Sequence, residues 1–434
     1  MNARKRGSLW AYFVWSVASL FYLYEYIVRI VPSVMEAELE VAFGVGATGL
    51  ATAVGLYLVV YSPMQLFVGP LFDRYGTRRL LVPASLFLSV SCFLPLIPGA
   101  GLGCLGFSRA CMGFASSFGF VGVMYLCTVW FPPSRLAMLS GLTTALGMVG
   151  GILGQNLLSH RMLHADWRLP WQMCGWIGSG VTALLWIYIP KRPAWVKVDT
   201  SLNRWHFFWK SLVSVTRNPQ TWIVGFCAGG LFMPLSVFAD MWGIPYLMAL
   251  TGGTKSQAVN VLAMLYLGWA IGAPVVGWLS DYTGTRKGPL VWSSVFCFVL
   301  SLGFLGLSGR TSPFVLGAIL FVLGLLSGGQ VVAFIASVEL NSADTKGTAV
   351  SVVNMITMLI GGFIQTSVGA VLDLAEGSAR IPHVYSVRSY KMAFSLLPIF
   401  LLVSVILTSL GMHRYRSGME KEESTDWVPD NEFI

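Results

Sequence analysis

Two stretches decide the architecture of this chain: GPLFDRYGTRRLL (69–81) and GWLSDYTGTRKGPL (277–290). Both read G-x-L-x-D-x-x-G-x-[RK]-[RK]. Gly69, Asp73, Gly76 and Arg78 are answered by Gly277, Asp281, Gly284 and Arg286, 208 residues further along a chain of 434. A second pair of stretches, PPSRLAMLSGL (132–142) and NSADTKGTAVS (341–351), echoes at nearly the same interval. A repeat at about half the chain length is the trace of a duplicated and fused unit, two like halves related by an axis along the membrane normal.

Working outward, each motif is flanked by apolar runs. The chain is 55% hydrophobic and 11% charged, a balance that leaves too little polar surface to cover a water-soluble fold. Twelve runs are long enough to cross a hydrocarbon core of about 30 Å at about 1.5 Å per residue: 8–31, 46–71, 79–98, 101–131, 136–159, 169–190, 219–250, 257–280, 288–308, 312–340, 347–372 and 390–412. The fold class is therefore an all-α polytopic membrane protein with twelve transmembrane helices in two pseudo-symmetric six-helix bundles. The division is an N-terminal bundle over 1–190, a linker over 191–218, a C-terminal bundle over 219–412 and a disordered tail over 413–434. The basic opening NARKRG resembles a secretory signal, but the run behind it is too long and no small-residue cleavage site follows, so it reads as an uncleaved first span. With both termini in the cytoplasm, the inner segments carry nineteen lysines and arginines against seven outside, the sense the positive-inside rule favours. The net charge of +9 then reflects topology and anionic lipid, and calls for no nucleic acid.

The repeated loop has a physical reading of its own. Asp73 closes a span on the cytoplasmic side, where it can pair with Arg74, Arg78 or Arg79 or with the free N–H groups of a helix start. Gly69 allows close approach of backbones and Gly76 a tight turn. Contacts of this kind lock two bundles in one state and release them in another, so the loop and its copy at Gly277, Asp281, Gly284 and Arg286 read as a gate. A topology-fixing basic loop is the plainer alternative.

With these residues in view, the chain resembles the major facilitator superfamily over nearly its whole length. The superfamily's loop motif is matched by Gly69, Leu71, Asp73, Arg74, Gly76, Arg78 and Arg79. Its arginine–glycine pair in the fourth span is matched by Arg109 and Gly113 of FSRACMGFASSFGF (107–120). The resemblance implies alternating access, with spans one, four, seven and ten lining a central cavity. At finer grain YEYIVRIVPSVM (24–35) and ADMWGIPYL (239–247) resemble a bacterial branch of phagosomal amino-acid and nucleoside importers and siderophore carriers, distantly similar to a lysosomal dipeptide transporter.

Charges inside the spans mark the candidate site, since each costs about 2.5–3.5 kcal/mol on insertion scales and tends to face a partner or a wet cavity. Glu25 and Arg29, four apart, share one helix face and can pair with each other. Glu25 lies about 9 Å and Arg109 about 12 Å below the external surface, counted at 1.5 Å per residue. By resemblance the two are neighbours, and an acid beside an arginine is a candidate proton switch. Asp240 sits in FADMWGIPYL (238–247) beside Trp242 and near Tyr246, where Gly243 and Pro245 weaken the helix. A kinked helix with a satisfied Asp240 is one reading, and a site for a substrate amine is the other, which with Arg109 would suit a zwitterion.

The function these readings favour is a secondary transporter of a small polar solute, with proton-coupled import of an amino acid or short peptide first. A siderophore or organic-anion carrier, relying on Arg29 and Arg109, comes second. A non-transporting receptor on the same scaffold is the rival of another class. No Walker motif, HExxH or nucleophile elbow occurs, so no enzyme is read. The seven cysteines lack CxxC spacing and read as small hydrophobes, so neither metal nor cofactor is expected. The implied partners are a small-molecule substrate, protons and the lipid bilayer. The expected setting is a bacterial inner membrane, with the chain as a monomer. Residues 203–215 of the linker can be written as an amphipathic helix at the membrane interface.

Overall fold

The computed structural model describes residues 9–131, 135–161, 166–191, 203–342, 345–376 and 385–412; the tail expected over 413–434 and linker residues 192–202 lie outside this set. Among the described residues the chain is helical, with no strand. In the first half the order is α1 (Leu9–Val34), α2 (Glu36–Phe43), α3 (Ala47–Tyr75), α4 (Thr77–Ser91), α5 (Leu102–Ser116), α6 (Phe118–Trp130), α7 (Leu136–Arg161) and α8 (Arg168–Tyr188). Then come the linker helix α9 (Asn203–Arg217) and the second half: α10 (Pro219–Met233), a π-helical stretch over Pro234–Trp242, α11 (Gly243–Thr251), α12 (Lys255–Thr283), α13 (Lys287–Gly306), α14 (Pro313–Ser327), α15 (Gln330–Glu339), α16 (Lys346–Glu376), α17 (Val387–Phe394) and α18 (Leu396–Ile406). Among the described residues ten helical units are long and apolar enough to cross a membrane. The remaining two of the expected twelve correspond to α7 and α8, of 26 and 21 residues, long enough to span.

Helix starts are written locally. Asn218 caps α10 with proline at the first position, Ser312 does the same for α14, and Thr254 with Gln257 forms a capping box on α12, each supplying an acceptor to an N–H that has no intrahelical partner. The repeat extends beyond the loop motif. The fourth span breaks at Ser117, between α5 and α6, and its counterpart breaks at Gly328 and Gly329, between α14 and α15. Gly76 and Gly284 occupy the same turn of the motif and both have positive φ, 76° and 62°, a region that disfavours any side chain.

In the second half α12 and α14 pack backbone to backbone. A Cβ at Gly268 or Gly272 would strike the Phe321 or Leu325 carbonyl, and one at Gly324 or Gly328 would strike the Leu265 carbonyl or the Ala273 amide. Both helices thus carry the small-xxx-small pattern that lets membrane helices approach closely where no hydrophobic force drives them together.

The polar contacts described between the two bundles lie at mid-depth and at the end remote from the repeated loops. At that remote end Asp373, closing α16, accepts the Ala47 and Thr48 amides at 3.1 and 2.8 Å. Tyr385 accepts Ala47 N–H at 3.0 Å and donates to Asp373 at 2.7 Å. Lys255 pairs with Glu38 at 2.8 Å. At the motif end α9 packs Phe208 and Val215 against Leu66 of α3 and Ala349, Val352 and Ile356 of α16, turning Trp209, Lys210 and Val213 outward.

Candidate functional site

The charged residues singled out in the sequence meet at mid-depth, between α1, α3, α5, α7, α12 and the π-helical stretch, but not in the pairs expected. Arg29 does not pair with Glu25. Its Nη2 lies 2.7 Å from Asp240 Oδ2 in the opposite bundle, both side chains buried. The two charges touch without the alignment of a directed hydrogen bond. The guanidinium also rests on the rings of Phe232 and Tyr26, at 5.3 and 5.5 Å. Asp240 is held from its other oxygen by the Tyr266 hydroxyl, which donates at 2.8 Å. Gln155 donates to the Ala239 carbonyl at 3.1 Å and reaches the Tyr266 hydroxyl at 3.5 Å. A four-residue spacing permits an ion pair within a helix; here the partner across the interface is closer, and it also neutralises a buried carboxylate.

Arg109 does not pair with Glu25 either. Nη1 donates to Val28 O at 3.2 Å and Nη2 to Arg29 O at 3.3 Å. Nη1 also approaches Met112 Sδ at 3.7 Å, and the plane lies over the Tyr57 ring at 4.6 Å. The reason is in the sequence. Pro32 stands four residues after Val28 inside α1 and has no N–H to give that carbonyl, so Arg109 supplies the missing donor. Arg109 is 2% exposed, its Nε has no partner, and among the described residues no carboxylate forms an ion pair with it.

Glu25 is 3% exposed, with Oε2 lacking a hydrogen-bond donor. It is pressed onto the backbone of Gly119 at the start of α6, where a Cβ would collide with that oxygen. Trp242 donates its indole N–H to Gln365 O at 3.1 Å. Tyr246 packs among Phe238, Phe304, Tyr390 and Phe394, and its hydroxyl has no partner. In this conformation the contacts of both candidate binding residues are those of interhelical packing. The helix around Asp240 is not broken at Gly243 and Pro245 as expected. It widens to π pitch before them, from Pro234 to Trp242, an arrangement that recurs at functional sites.

The repeated loop is a charge cluster in the second half. Arg286 donates to Asp281 at 2.6 Å, to Glu339 at 2.9 Å and to Ser280 at 3.0 Å, tying together the ends of α12, α13 and α15. In the first half Arg74 lies over the Tyr75 ring and Arg78 over Trp186, at 5.4 and 5.2 Å, and Arg79 is exposed. The side chain of Asp73 lies outside the described set. Gly69 corrects an expectation. Nothing lies within 4 Å of where its Cβ would stand, and the same is true of Gly277, so neither mediates close packing in this conformation. Gln155 and Tyr266 complete the surroundings of Asp240, and no spacing rule in the sequence links either of them to it. All seven cysteines are free thiols.

The comparisons agree with this architecture. The chain is 25% identical over 397 residues to the uncharacterized transporter YybO of Bacillus subtilis, covering 86% of this chain and 90% of the relative. It is 22% identical to the hexose-6-phosphate:phosphate antiporter of Escherichia coli, covering 82% of each. The fold superposes on the crystal structure of a bacterial homologue of the human lysosomal transporter Spinster with a TM-score of 0.73 at 16% identity, over 93% of this chain and 97% of the other. Residues 9–366 match the Major Facilitator Superfamily, and with twin bundles, twin loops and a charged cluster where the bundles meet, this chain belongs to that superfamily as a membrane transporter.

Proposed function

We propose that the protein moves a small organic anion by alternating access, coupled to protons, with Arg109 as the seat of the anion and Glu25 as the proton carrier. The observation that carries this reading is the state of Arg109: a buried guanidinium with no acid partner among the described residues, held by two backbone carbonyls, a thioether and a ring face. A fixed cation of this kind, desolvated and uncompensated, favours an anion above any other ligand. Arg29 adds a second cation once the bundles part and Asp240 withdraws. Glu25, with a bare oxygen beside Gly119, keeps its charge there only at a cost of several kcal/mol, and a proton removes that cost. Kinship with an antiporter of hexose phosphate and phosphate supports an anionic cargo.

The amino-acid or peptide reading required Asp240 to receive an amine. With Asp240 already engaged by Arg29 and Tyr266, that reading ranks second, and the resemblance of 24–35 and 239–247 to importers and siderophore carriers is compatible with either cargo. The basic motif loops, the linker and both termini face the cytoplasm of a bacterial inner membrane in this proposal, so the conformation described is closed to the outside.

The test is uptake into proteoliposomes under an inward proton gradient, with a pool of labelled sugar phosphates, sulfonates, carboxylates, amino acids and dipeptides. Accumulation of an anion that Arg109→Gln abolishes and Glu25→Gln uncouples from the gradient supports the proposal. Accumulation confined to zwitterions and lost in Asp240→Asn replaces it with the amino-acid reading.

A further inference from the structure

We propose that the end of the interface remote from the repeated loops holds a second proton-binding site, at Glu36, filled when the two bundles meet there and emptied when they part. It rests on the transporter reading only in assuming that the bundles separate at this end; it does not depend on Glu25 or on the cargo.

The short helix α2 belongs to the first bundle and carries EAELEVAF, three glutamates in five residues. Glu38 is half-exposed and takes the ion pair with Lys255 of α12. Glu36 and Glu40, one turn apart, are buried at 6% and 0% exposure. Groups of the opposite bundle stand beside them. Tyr390 of α17 lies within electrostatic reach of both, and Tyr385 of Glu40. Behind Tyr390 stands Tyr246, and Tyr385 in turn binds Asp373. Among the described residues the charged and titratable groups facing Glu36 are therefore Glu38 on its own helix, with Glu40 one turn on, Lys255 on α12 and Tyr390 on α17. Its Oε1 is buried with no hydrogen-bond partner, the position of an acid oxygen that gains from a proton and loses from a charge.

Burial first, then the neighbouring charge of Glu38, push the Glu36 carboxyl up to about 8 from its ordinary 4.5, while Lys255 pulls it back. When the bundles part, water reaches α2, and the group returns toward the ordinary value. The closed end therefore binds a proton that the open end releases. By linkage, closure is favoured at pH below the open-state value, and the favour is lost as pH rises through about 8. An outward-facing carrier in a more acidic exterior is thus drawn shut.

The experiment uses the full chain in lipid nanodiscs, its seven cysteines replaced by alanine, with spin labels at Val41 on α2 and Leu374 at the end of α16, both exposed. Pulsed electron paramagnetic resonance reads the populations of short and long distance from about pH 5 to about pH 9.5, a range that spans both limiting protonation states. The parent protein should move from short to long with rising pH, and Glu36→Gln should lose that midpoint. Glu38→Gln and Lys255→Met break the same ion pair but should displace the midpoint oppositely, Glu38→Gln to lower and Lys255→Met to higher pH. A Glu36→Gln protein that titrates like the parent overturns the proposal, as does a common direction of shift for the other two. If Glu36→Gln does not fold, the opposed pair decides alone. Glu25→Gln, run in parallel for uptake and distance, separates the two proton sites: lost coupling with an unchanged distance titration supports both. Retained coupling removes the role of Glu25 and leaves the Glu36 titration to stand on its own result.

Discussion

Asp240→Asn is the sharpest perturbation the interface offers. In the conformation described, Asp240 neutralises Arg29 at 2.7 Å, with both side chains almost wholly buried. Asparagine keeps the size and can still accept the Tyr266 hydroxyl, so the change removes charge and little else. Stranding one member of a buried ion pair costs about 3–5 kcal/mol. At about 1.4 kcal/mol per tenfold, that is a change of roughly 10² to several 10³ in an equilibrium constant. The cost falls on the conformation that buries Arg29; once the bundles part, water hydrates it. Asp240→Asn should therefore shift the population toward the separated state by a factor of that order, read as the distance between labels at Val41 and Leu374. Neutralising both members should be far milder, because exchanging a whole buried pair for uncharged groups is often near neutral. Arg29→Gln with Asp240→Asn should thus fall within about tenfold of the parent, a coupling that a double-mutant cycle isolates. Populations within threefold of the parent in Asp240→Asn would refute the reasoning, as would a double variant no better than the worse single one.

Other perturbations follow from contacts already described. Gly119→Ala places a methyl group where Glu25 Oε2 sits; proton-driven accumulation should fall at least tenfold with little change in thermal stability, checked by uptake and melting. Arg109→Lys keeps the charge but cannot span the Val28 and Arg29 carbonyls together, since lysine lacks the planar fork; substrate affinity should weaken about tenfold or more in equilibrium binding. Gly272→Leu drives a side chain into the Leu325 backbone, and over-packing of this kind costs about 1–3 kcal/mol or more, so the melting temperature should drop, with Gly277→Leu, which faces open space, as the harmless control. Arg286→Ala leaves Glu339 without its 2.9 Å partner and should loosen the ends of α12, α13 and α15, measured as faster hydrogen exchange there than in the parent.

Much of the fold was legible because it is written in local signals: apolar length, the duplicated loop, and the glycines at its turn, where φ is positive. The residues of the site were legible for a related reason, since a charge among aromatics and aliphatics is conspicuous. Their partners were not. Spacing along one helix shows which residues share a face, and depth shows which lie at one level, but neither ranks two candidate partners a few ångströms apart. Equal depth was counted for Glu25 and Arg109, yet Pro32 leaves the Val28 carbonyl without its helical donor and Arg109 supplies one, a signal present in IVRIVP and readable as an unclaimed carbonyl. Gly69 illustrates the converse. Its motif position suggested close packing, while in this conformation nothing stands within 4 Å of where its Cβ would be. Glu36 escaped notice because 32–45 reads as a connecting turn, and no spacing rule along it brings in Lys255 or Tyr390 from the other half of the molecule.

The helix that joins the bundles, α9, has its apolar face committed to both of them: Phe208 and Val215 contact α3 on one side and α16 on the other. A connector seated in this way is a poor place for a reporter, an epitope or a protease site, although its position between repeats makes it an obvious choice. Engineers who divide the chain for co-expression of its halves should cut ahead of Asn203, so that the helix travels intact with the second fragment and still finds its groove when the two reunite.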